Sequence, residues 1–279
     1  MALTLRTNIP ALNAQFNLNR ADRSLRGTYE RISSGKRINR AADDAAGLAI
    51  SDQLRADIRS LVQGVRNAED GLSLVQVYEG GTHEISDMLI RLRELAMQAA
   101  TDTVSDRERS LIMHEVEEIK REVDRIAYST KFIGQDPLLA GEQLDLQFQV
   151  GKDNDENTDR ILFDPGNLDL TASGLAVDGL DFSERDGARD SLEVIDEAIF
   201  EINSVRARVG SSQSRLETTI NSGNIQIENL SAAQSRILDA DMAAESTDLM
   251  QREMLRQAGT MVLSAANQSP STVLKLLNG

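Results

Sequence analysis

The sequence contains no cysteine and no tryptophan, and aromatic residues make up only 3% of its 279 positions. Without cysteine there is no disulfide scaffold, no thiolate metal site and no thiol catalysis. With so few aromatic side chains, the chain lacks the material that usually lines a small-molecule pocket. Packing must rely on Leu, Ile, Val, Ala and Met, which suit narrow seams between helices. We therefore expect elongated helices and no cofactor.

Long apolar runs are missing as well. No stretch approaches the roughly 20 apolar residues that a transmembrane helix needs. Residues 1–13 contain no apolar core of a cleavable signal peptide. The sequence therefore predicts no membrane insertion, and any secretion would use another route.

The charge is acidic overall and unevenly distributed. The formal net charge is −15, yet residues 1–66 carry 11 basic and 6 acidic groups, which leaves the remainder at −20. A basic head and an acidic body could pair within one subunit or between neighbours; the alternative is a solvated helix surface that aids solubility. Nucleic acid is disfavoured as a partner, because the basic cluster has no interleaved aromatic residue beyond Tyr29. The cluster comprises Arg20, Arg23, Arg26, Arg31, Lys36, Arg37 and Arg40.

The N-terminal part of the chain has the apolar spacing of amphipathic helices. Over residues 5–32, apolar residues recur in steps of three, four and seven. Gly35 is the expected stop, because glycine adopts the left-handed conformation past a helix end at little cost. Asp43 or Asp44 is the predicted N-cap of a second helix.

That second helix carries the longest apolar pattern. Its two interleaved seven-residue strides are Leu54, Leu61, Ala68 and Val75, and Ile58, Val65 and Leu72. Gly80 and Gly81 predict a weakened or kinked point in this helix. A third helix is expected from about Ser105, antiparallel to the second.

Between Phe132 and Arg189 the period changes from that of a helix to that of a strand. Apolar residues at 144, 146, 148 and 150 alternate with polar ones, and a polar turn over residues 152–160 precedes a second short apolar run. The pattern predicts a small β region.

From Asp190 onward the helical pattern returns. The seven-residue stride, with one miss, is Ile195, Ile202, Val209, Leu216, Gly223, Leu230 and Ile237. A last amphipathic segment covers residues 241–268, and Pro270 is expected to break it before an apolar tip.

These patterns predict a mainly α fold of long antiparallel coiled-coil-like helices, with paired terminal helices and a small central β region. The predicted segments are residues 1–43, half of an inner helical domain that pairs with the C-terminus; 44–134, the N-terminal long helices of an outer domain; 135–186, a short β-rich region; 187–236, the C-terminal long helix of the outer domain; and 237–279, the other half of the inner domain.

The two ends of the chain need partners. An isolated amphipathic helix is marginal in water, and each exposed Leu or Ile forgoes about 1.5 to 3 kcal/mol of burial. We therefore predict that the ends pair with each other and polymerise with other copies. The candidate interface residues are Leu5, Ile9, Leu12, Phe16, Leu249, Met254, Met261, Val273, Leu274 and Leu277.

Catalytic and metal motifs are incomplete in this sequence. His114-Glu115 begins like a zinc protease motif, but the second histidine one turn later is replaced by Glu118. Gly35-Lys36 lacks the earlier glycine and the following hydroxyl of a phosphate-binding loop. Residues 153–155 lack the rest of a calcium loop. We predict no catalytic, cofactor-binding or metal site and no enzymatic activity.

Three stretches of the sequence form a recognisable set of motifs. They are Ser33-Ser34-Gly35-Lys36-Arg37-Ile38-Asn39-Arg40-Ala41-Ala42-Asp43-Asp44-Ala45-Ala46-Gly47-Leu48-Ala49-Ile50, then residues 91–98 (RLRELAMQ), then residues 235–246 (SRILDADMAAES) with 257–260 (QAGT) and 266–270 (ANQSP). In their order and their distances from the termini they resemble bacterial flagellin, over about residues 1–134 and 187–279. The central insert is short, so the outer variable domains of many members are absent or reduced.

The resemblance implies a structural subunit that assembles itself into the flagellar filament for motility. It also implies export by the flagellar type III apparatus without a cleaved signal, an export chaperone, and cap and junction proteins as partners. The filament would be extracellular, with a periplasmic filament as the alternative. The resemblance further implies recognition by Toll-like receptor 5, for which Arg91, Leu95 and Glu115 are the matching positions.

Other functions stay open at this point. A hook–filament junction adaptor of the same superfamily is the main alternative, although the close match over residues 235–270 disfavours it. A free coiled-coil scaffold or receptor ligand is another alternative. An enzyme embedded in a filament protein is disfavoured by the incomplete histidine motifs.

Overall fold

A computed structural model describes residues 7–132, 146–164 and 169–277, with the backbone alone for 269–277. The helices and strands in these ranges are α1 (Ile9–Ser34), α2 (Ala45–Ala99), α3 (Asp106–Ser129), β1 (Leu146–Gln149), β2 (Arg160–Phe163), α4 (Arg185–Leu238) and α5 (Met242–Leu277). The predicted fold class, mainly α with a small central sheet, is confirmed. Searched over the same ranges, no helix is long and apolar enough to cross a membrane.

The chain divides into two compact units. The terminal unit combines Met1–Ala56 and Asn229–Gly279, and the central unit is Asp57–Glu228. Helices α2 and α4 each contribute residues to both units. The five segments expected from the sequence are a finer division and stay a prediction.

Three helices form the frame of the central unit, and α3 and α4 both run antiparallel to α2. Arg93 of α2 lies against Asp196 of α4, and Arg91 lies against Glu115 of α3. The heptad positions of α4 within this unit are fully buried at Ile195, Ile202, Val209 and Leu216. The seven-residue apolar pattern of α4 has a glycine at position 223. The reason is steric, because a Cβ at Gly223 would clash with the side chain of Val65 on α2.

Helix α2 runs through Gly80 and Gly81 without interruption. Buried residues on both sides, Tyr78 and Ile85, anchor it to the core. The weakness expected from the glycine pair therefore does not end the helix.

The hairpin of β1 and β2 packs against α2. The strands are antiparallel, with Leu146 opposite Phe163 and Phe148 opposite Ile161. Gly71 of α2 faces the ring of Phe148, and Gly64 faces the backbone of Val150. The strand pair is confirmed; Leu144, which was expected to begin the first strand, lies outside the described residues.

An irregular segment over residues 169–184 covers another part of the core. Leu170, Val177 and Phe182 are fully buried in it. Lys120 of α3 is buried beneath this segment, and its ammonium donates to the carbonyls of Asp178 and Leu180 at 2.8 Å each. One lysine thus fixes a segment that has no regular secondary structure.

The ends of the helices show how local sequence sets their bounds. The Asn8 side chain accepts from the amide of Ala11 at the start of α1, and Gly35 ends it with φ of 69°. Asp44 is the N-cap of α2, because its Oδ1 accepts from the amide of Gly47 at 2.9 Å. Ser105 and Glu108 form a capping box at α3.

The expectation that Pro270 breaks the last helix is wrong. Helix α5 continues through this position to Leu277. Proline removes one N–H donor, which leaves the carbonyl four residues earlier, that of Ala266, without its helical partner. The side-chain amide of Asn8 donates to that carbonyl at 2.7 Å, and the helix therefore tolerates the proline.

Candidate assembly surface

Helices α1 and α5 form an antiparallel pair held by polar contacts along its length. Near one end Arg31 donates to Glu245 at 2.7 Å. In the middle Arg252 donates to the hydroxyl of Ser24 and, at 3.0 Å, to its carbonyl. The first contact places Arg31 of the basic head against a carboxylate of the same subunit.

Tyr29 adds a further contact across this pair. Its hydroxyl donates to Glu253 at 2.8 Å. The hydrogen bond to this carboxylate raises the pKa of Tyr29. The phenol is therefore held in its neutral, donating form.

The turn after α1 is tied to the chain between α4 and α5 by backbone hydrogen bonds. The amide of Arg37 donates to the carbonyl of Leu238 at 2.6 Å, and the amide of Ala240 donates to the carbonyl of Gly35 at 3.0 Å. Ile38 is buried beside them, over Gly47. The motif over residues 33–50 thus joins the end of α1 to the chain between α4 and α5.

The terminal helices expose an unusual amount of apolar surface. Phe16 is 62% exposed and Met261 is 72% exposed. Eight of the exposed apolar residues of α1 and α5 are here called the terminal apolar residues: Ile9, Leu12, Phe16, Met250, Met254, Leu255, Met261 and Val262. In water such a concentration of large exposed apolar side chains marks a binding surface.

The buried core of the terminal unit is small by comparison. Among its described side chains, the buried apolar ones are Ala14, Leu25 and Ile38. In the central unit the seams of α2, α3 and α4 are buried along their length. The terminal helices therefore satisfy only part of their apolar surface within one subunit.

A groove between α1 and α5 adds shape to this surface. Gly259 lets α5 approach Leu18, since a Cβ there would lie 3.3 Å from the Leu18 side chain. Beside this contact lies a cavity of 320 Å³ whose lining includes Ala21 and Leu255. The cavity is mostly apolar and open to solvent, so it can receive an apolar side chain of another copy.

The candidate interface residues differ in how far the structure describes them. Ile9, Leu12, Phe16, Met254 and Met261 are exposed, and Leu249 is half-buried. Leu5 and the side chains of Val273, Leu274 and Leu277 lie outside the described residues.

Sequence reasoning missed Met250 and Val262, which are exposed beside the predicted positions. Leu255 and Val262 are seven residues apart and form a second stripe on α5. A search for two apolar stripes on one helix could have found them.

The three residues matched to receptor recognition lie close together in the central unit. Arg91 donates to Glu115 at 2.6 Å and to Glu94 at 3.0 Å, and these carboxylates raise its pKa. The side chains of Arg91 and Glu115 are about half exposed. Leu95, in contrast, is only 2% exposed and packs in the core.

Comparison with protein families supports a filament protein. The model of the bacterial flagellin N-terminal helical region matches residues 5–143, and that of the bacterial flagellin C-terminal helical region matches residues 192–277. The two matched regions contain the terminal helices, α2, α3 and most of α4.

Individual relatives match over nearly the whole chain. The flagellin of Halalkalibacterium halodurans is 39% identical over 97% of this chain and 98% of its own length. The flagellar filament 33 kDa core protein of Treponema phagedenis is 38% identical over the same shares. The crystal structure of Bacillus cereus flagellin is 28% identical, with a TM-score of 0.49 over 57% of this chain and 88% of that one.

Proposed function

The chain belongs to the bacterial flagellin family, and we propose that copies of it polymerise through the terminal apolar residues of α1 and α5. It is a subunit of the flagellar filament and a structural protein, not an enzyme. The proposal concerns the surface by which one subunit joins the next.

The exposure of Phe16, Met261 and their neighbours is the observation that carries this proposal. These side chains lie on helices whose other sides are already paired, with Arg31 held by Glu245 and Ser24 held by Arg252. The polar contacts fix the pair, and the apolar residues stay available. Identical copies can bury them by stacking.

The energies involved are sufficient for assembly. Fully burying one large apolar side chain contributes about 1.5 to 3 kcal/mol. Ordered association costs about 4 to 15 kcal/mol. A handful of the terminal apolar residues, buried together, therefore offsets the cost of association.

The substitution Phe16→Ser tests the proposal. Because Phe16 is exposed in the free subunit, the change should leave the monomer folded. Losing about 1.5 to 3 kcal/mol of burial should raise the critical concentration for seeded polymerisation roughly ten- to hundred-fold. Sedimentation and negative-stain electron microscopy measure it.

Phe200→Ser is the matched control. Phe200 is 69% exposed on α4 of the central unit, so it has the same chemistry and exposure but lies outside the terminal apolar residues. We expect its critical concentration to stay near that of the native chain. Equal effects of the two substitutions, or no effect of Phe16→Ser, would contradict the proposal.

The setting of the filament is a finer part of the proposal. We infer an extracellular filament, with export through the flagellar type III apparatus and with a chaperone, cap proteins and junction proteins as partners. A periplasmic filament is the alternative setting. Antibody labelling of intact cells decides: an external filament is labelled without permeabilisation, whereas a periplasmic one is not.

A second proposal is recognition of the free subunit by Toll-like receptor 5. Its support is the adjacency of Arg91 and Glu115 on the exposed sides of α2 and α3. The receptor would contact these two charged side chains, and Leu95 would act from beneath by fixing α2 in the core.

Arg91→Ala tests the receptor proposal in cells that carry a receptor-driven reporter. We expect at least a ten-fold higher concentration for half-maximal response. Arg93→Ala is the control, since Arg93 is equally exposed and also pairs with a carboxylate, that of Asp196. A response of Arg91→Ala equal to that of the control would overturn this proposal.

A further inference from the structure

Exposed methionines are concentrated on α5. Among the methionines whose side chains the structure describes, Met88 and Met113 are half-buried in the central unit. Met97 of α2 is 54% exposed. The other exposed ones all lie on α5, and they are Met242, Met250, Met254 and Met261.

Three of these methionines share one side of the helix. Met250, Met254 and Met261 follow one another by four and seven residues, which keeps them within about 40° around the axis. Met254 is 65% exposed. Met242 begins the helix and is offset from Met250 by about 80°. The stripe is thus a defined group of thioethers that solvent reaches in the free subunit.

We propose that Met250, Met254 and Met261 are a sulfoxidation site through which hydroperoxides exclude free subunits from the filament. The inference rests on the proposed assembly through the terminal apolar residues. In each step a thioether sulfur attacks one oxygen of the hydroperoxide. The O–O bond breaks, sulfur gains the oxygen and loses two electrons, and the hydroperoxide is reduced to an alcohol or, for hydrogen peroxide, to water.

The product is unsuited to the surface on which it forms. Methionine is flexible and apolar and fits irregular contacts between subunits, whereas its sulfoxide is polar and carries a strong hydrogen-bond acceptor. Burying that oxygen against the apolar side chains of another copy would leave it without the donors that water provides. A free subunit that is oxidised at these methionines is therefore poorly suited to join the filament.

A partition experiment on the native chain tests this. Monomers are treated with hydrogen peroxide to about one sulfoxide per chain, quenched and polymerised on native seeds. Peptide mass spectrometry then gives the sulfoxide fraction at each methionine in the filaments and in the unpolymerised chains. We expect at least five-fold enrichment at Met250, Met254 and Met261 among the unpolymerised chains, and none at Met97. Equal fractions in both pools would overturn the inference.

A variant with Met250→Leu, Met254→Leu and Met261→Leu gives a second measurement. Each protein is compared only with its own untreated sample, so any change in basal polymerisation cancels. Peroxide should slow polymerisation of the native chain and of the Met97→Leu control at least ten-fold, and that of the triple variant less than two-fold. An equal loss in the triple variant would contradict the inference.

Oxidation of finished filaments separates failure of this inference from failure of the assembly proposal. If the stripe lies in the subunit interface, sulfoxide forms at its three positions at least ten-fold more slowly in filaments than in monomers. Equal rates would refute the assembly surface itself. Slow oxidation in filaments combined with equal partition of oxidised monomers would refute only the sulfoxidation site.

Discussion

The side-chain amide of Asn8 donates to the carbonyl of Ala266 at 2.7 Å, across a sequence separation of 258 residues. That carbonyl is the one that Pro270 leaves without a helical donor. The same asparagine accepts from the amide of Ala11 through its other side-chain atom. Asn8 therefore caps the start of α1 and also supplies the hydrogen-bond donor that α5 lacks because of Pro270.

Separate substitutions should resolve these two roles. Asn8→Asp keeps an acceptor for Ala11 but removes the donor to Ala266, whereas Asn8→Ala removes both. We expect Asn8→Asp to lower the local stability of α5 by about 1 kcal/mol. Asn8→Ala should have the same effect on α5 and should also lower the local stability at the start of α1 by about 0.5 to 2 kcal/mol. Hydrogen exchange of the amides of α5 and α1 measures each effect.

A double-mutant cycle checks the link to the proline. Pro270→Ala restores an N–H that can reach the carbonyl of Ala266, so Asn8→Asp should then cost less on that background. The expected coupling energy is about 0.5 to 1 kcal/mol. Additive effects would show that Asn8 does not compensate for Pro270.

The relationship between Asn8 and Pro270 shows which features of the fold cannot be predicted from local sequence patterns. Heptad spacing predicted the long helices because periodicity is a local property, and the stop at Gly35 followed from backbone conformation alone. The survival of α5 past Pro270 depends on a donor from the opposite end of the chain. No local pattern contains that information.

The terminal apolar residues, too, could be predicted only in part from local sequence patterns. Apolar spacing identified Phe16 and Met261 but could not decide which stripes a neighbouring helix covers. Leu95 is only 2% exposed, because it packs in the core of the central unit. Leu255 and Val262 stay exposed because α1 covers a different side of α5, which only the packing reveals.

Two glycines of α2 should respond oppositely to alanine. A Cβ at Gly64 would clash with the carbonyl of Val150, whereas nothing lies within 4 Å of a Cβ at Gly80. Gly64→Ala should therefore destabilise the central unit by about 1 to 3 kcal/mol. Gly80→Ala should stabilise it by about 0.5 to 1 kcal/mol, because the unfolded chain loses freedom. Urea unfolding followed by circular dichroism measures both, and a like sign for the two would contradict the packing of the hairpin on α2.

Removing the buried ammonium of Lys120 should loosen the segment over residues 169–184. Lys120→Met leaves the carbonyls of Asp178 and Leu180 without their donor, and hydrogen bonds to a charged group contribute about 1.5 to 3 kcal/mol. We expect a loss of about 2 to 4 kcal/mol in the free energy of unfolding.

The next residue supplies the control for Lys120. Arg121 pairs with Glu118 on the exposed side of the same helix. Arg121→Met should change the free energy of unfolding by less than about 0.5 kcal/mol. If the two variants lose equal stability, the role assigned to the burial of Lys120 is wrong.

Tyr78 should make the central unit sensitive to alkali. Its ring lies edge-on to Phe163 with centroids 5.7 Å apart, and burial raises its pKa from 10.0 to about 12. The folded state therefore keeps the phenol proton between pH 10 and 12, while the unfolded chain releases it. Because the unfolded state binds fewer protons there, stability falls as the pH rises through this window. The contribution lost by pH 11 is about 1.4 kcal/mol.

The substitution Tyr78→Phe tests this, because it keeps the ring but has no proton to release. Between pH 8 and pH 11 the free energy of unfolding should fall in both proteins, and the fall should be about 1.4 kcal/mol smaller in the variant than in the native chain. Urea titrations at the two pH values measure the difference, and parallel losses in both proteins would show that Tyr78 is not the group responsible.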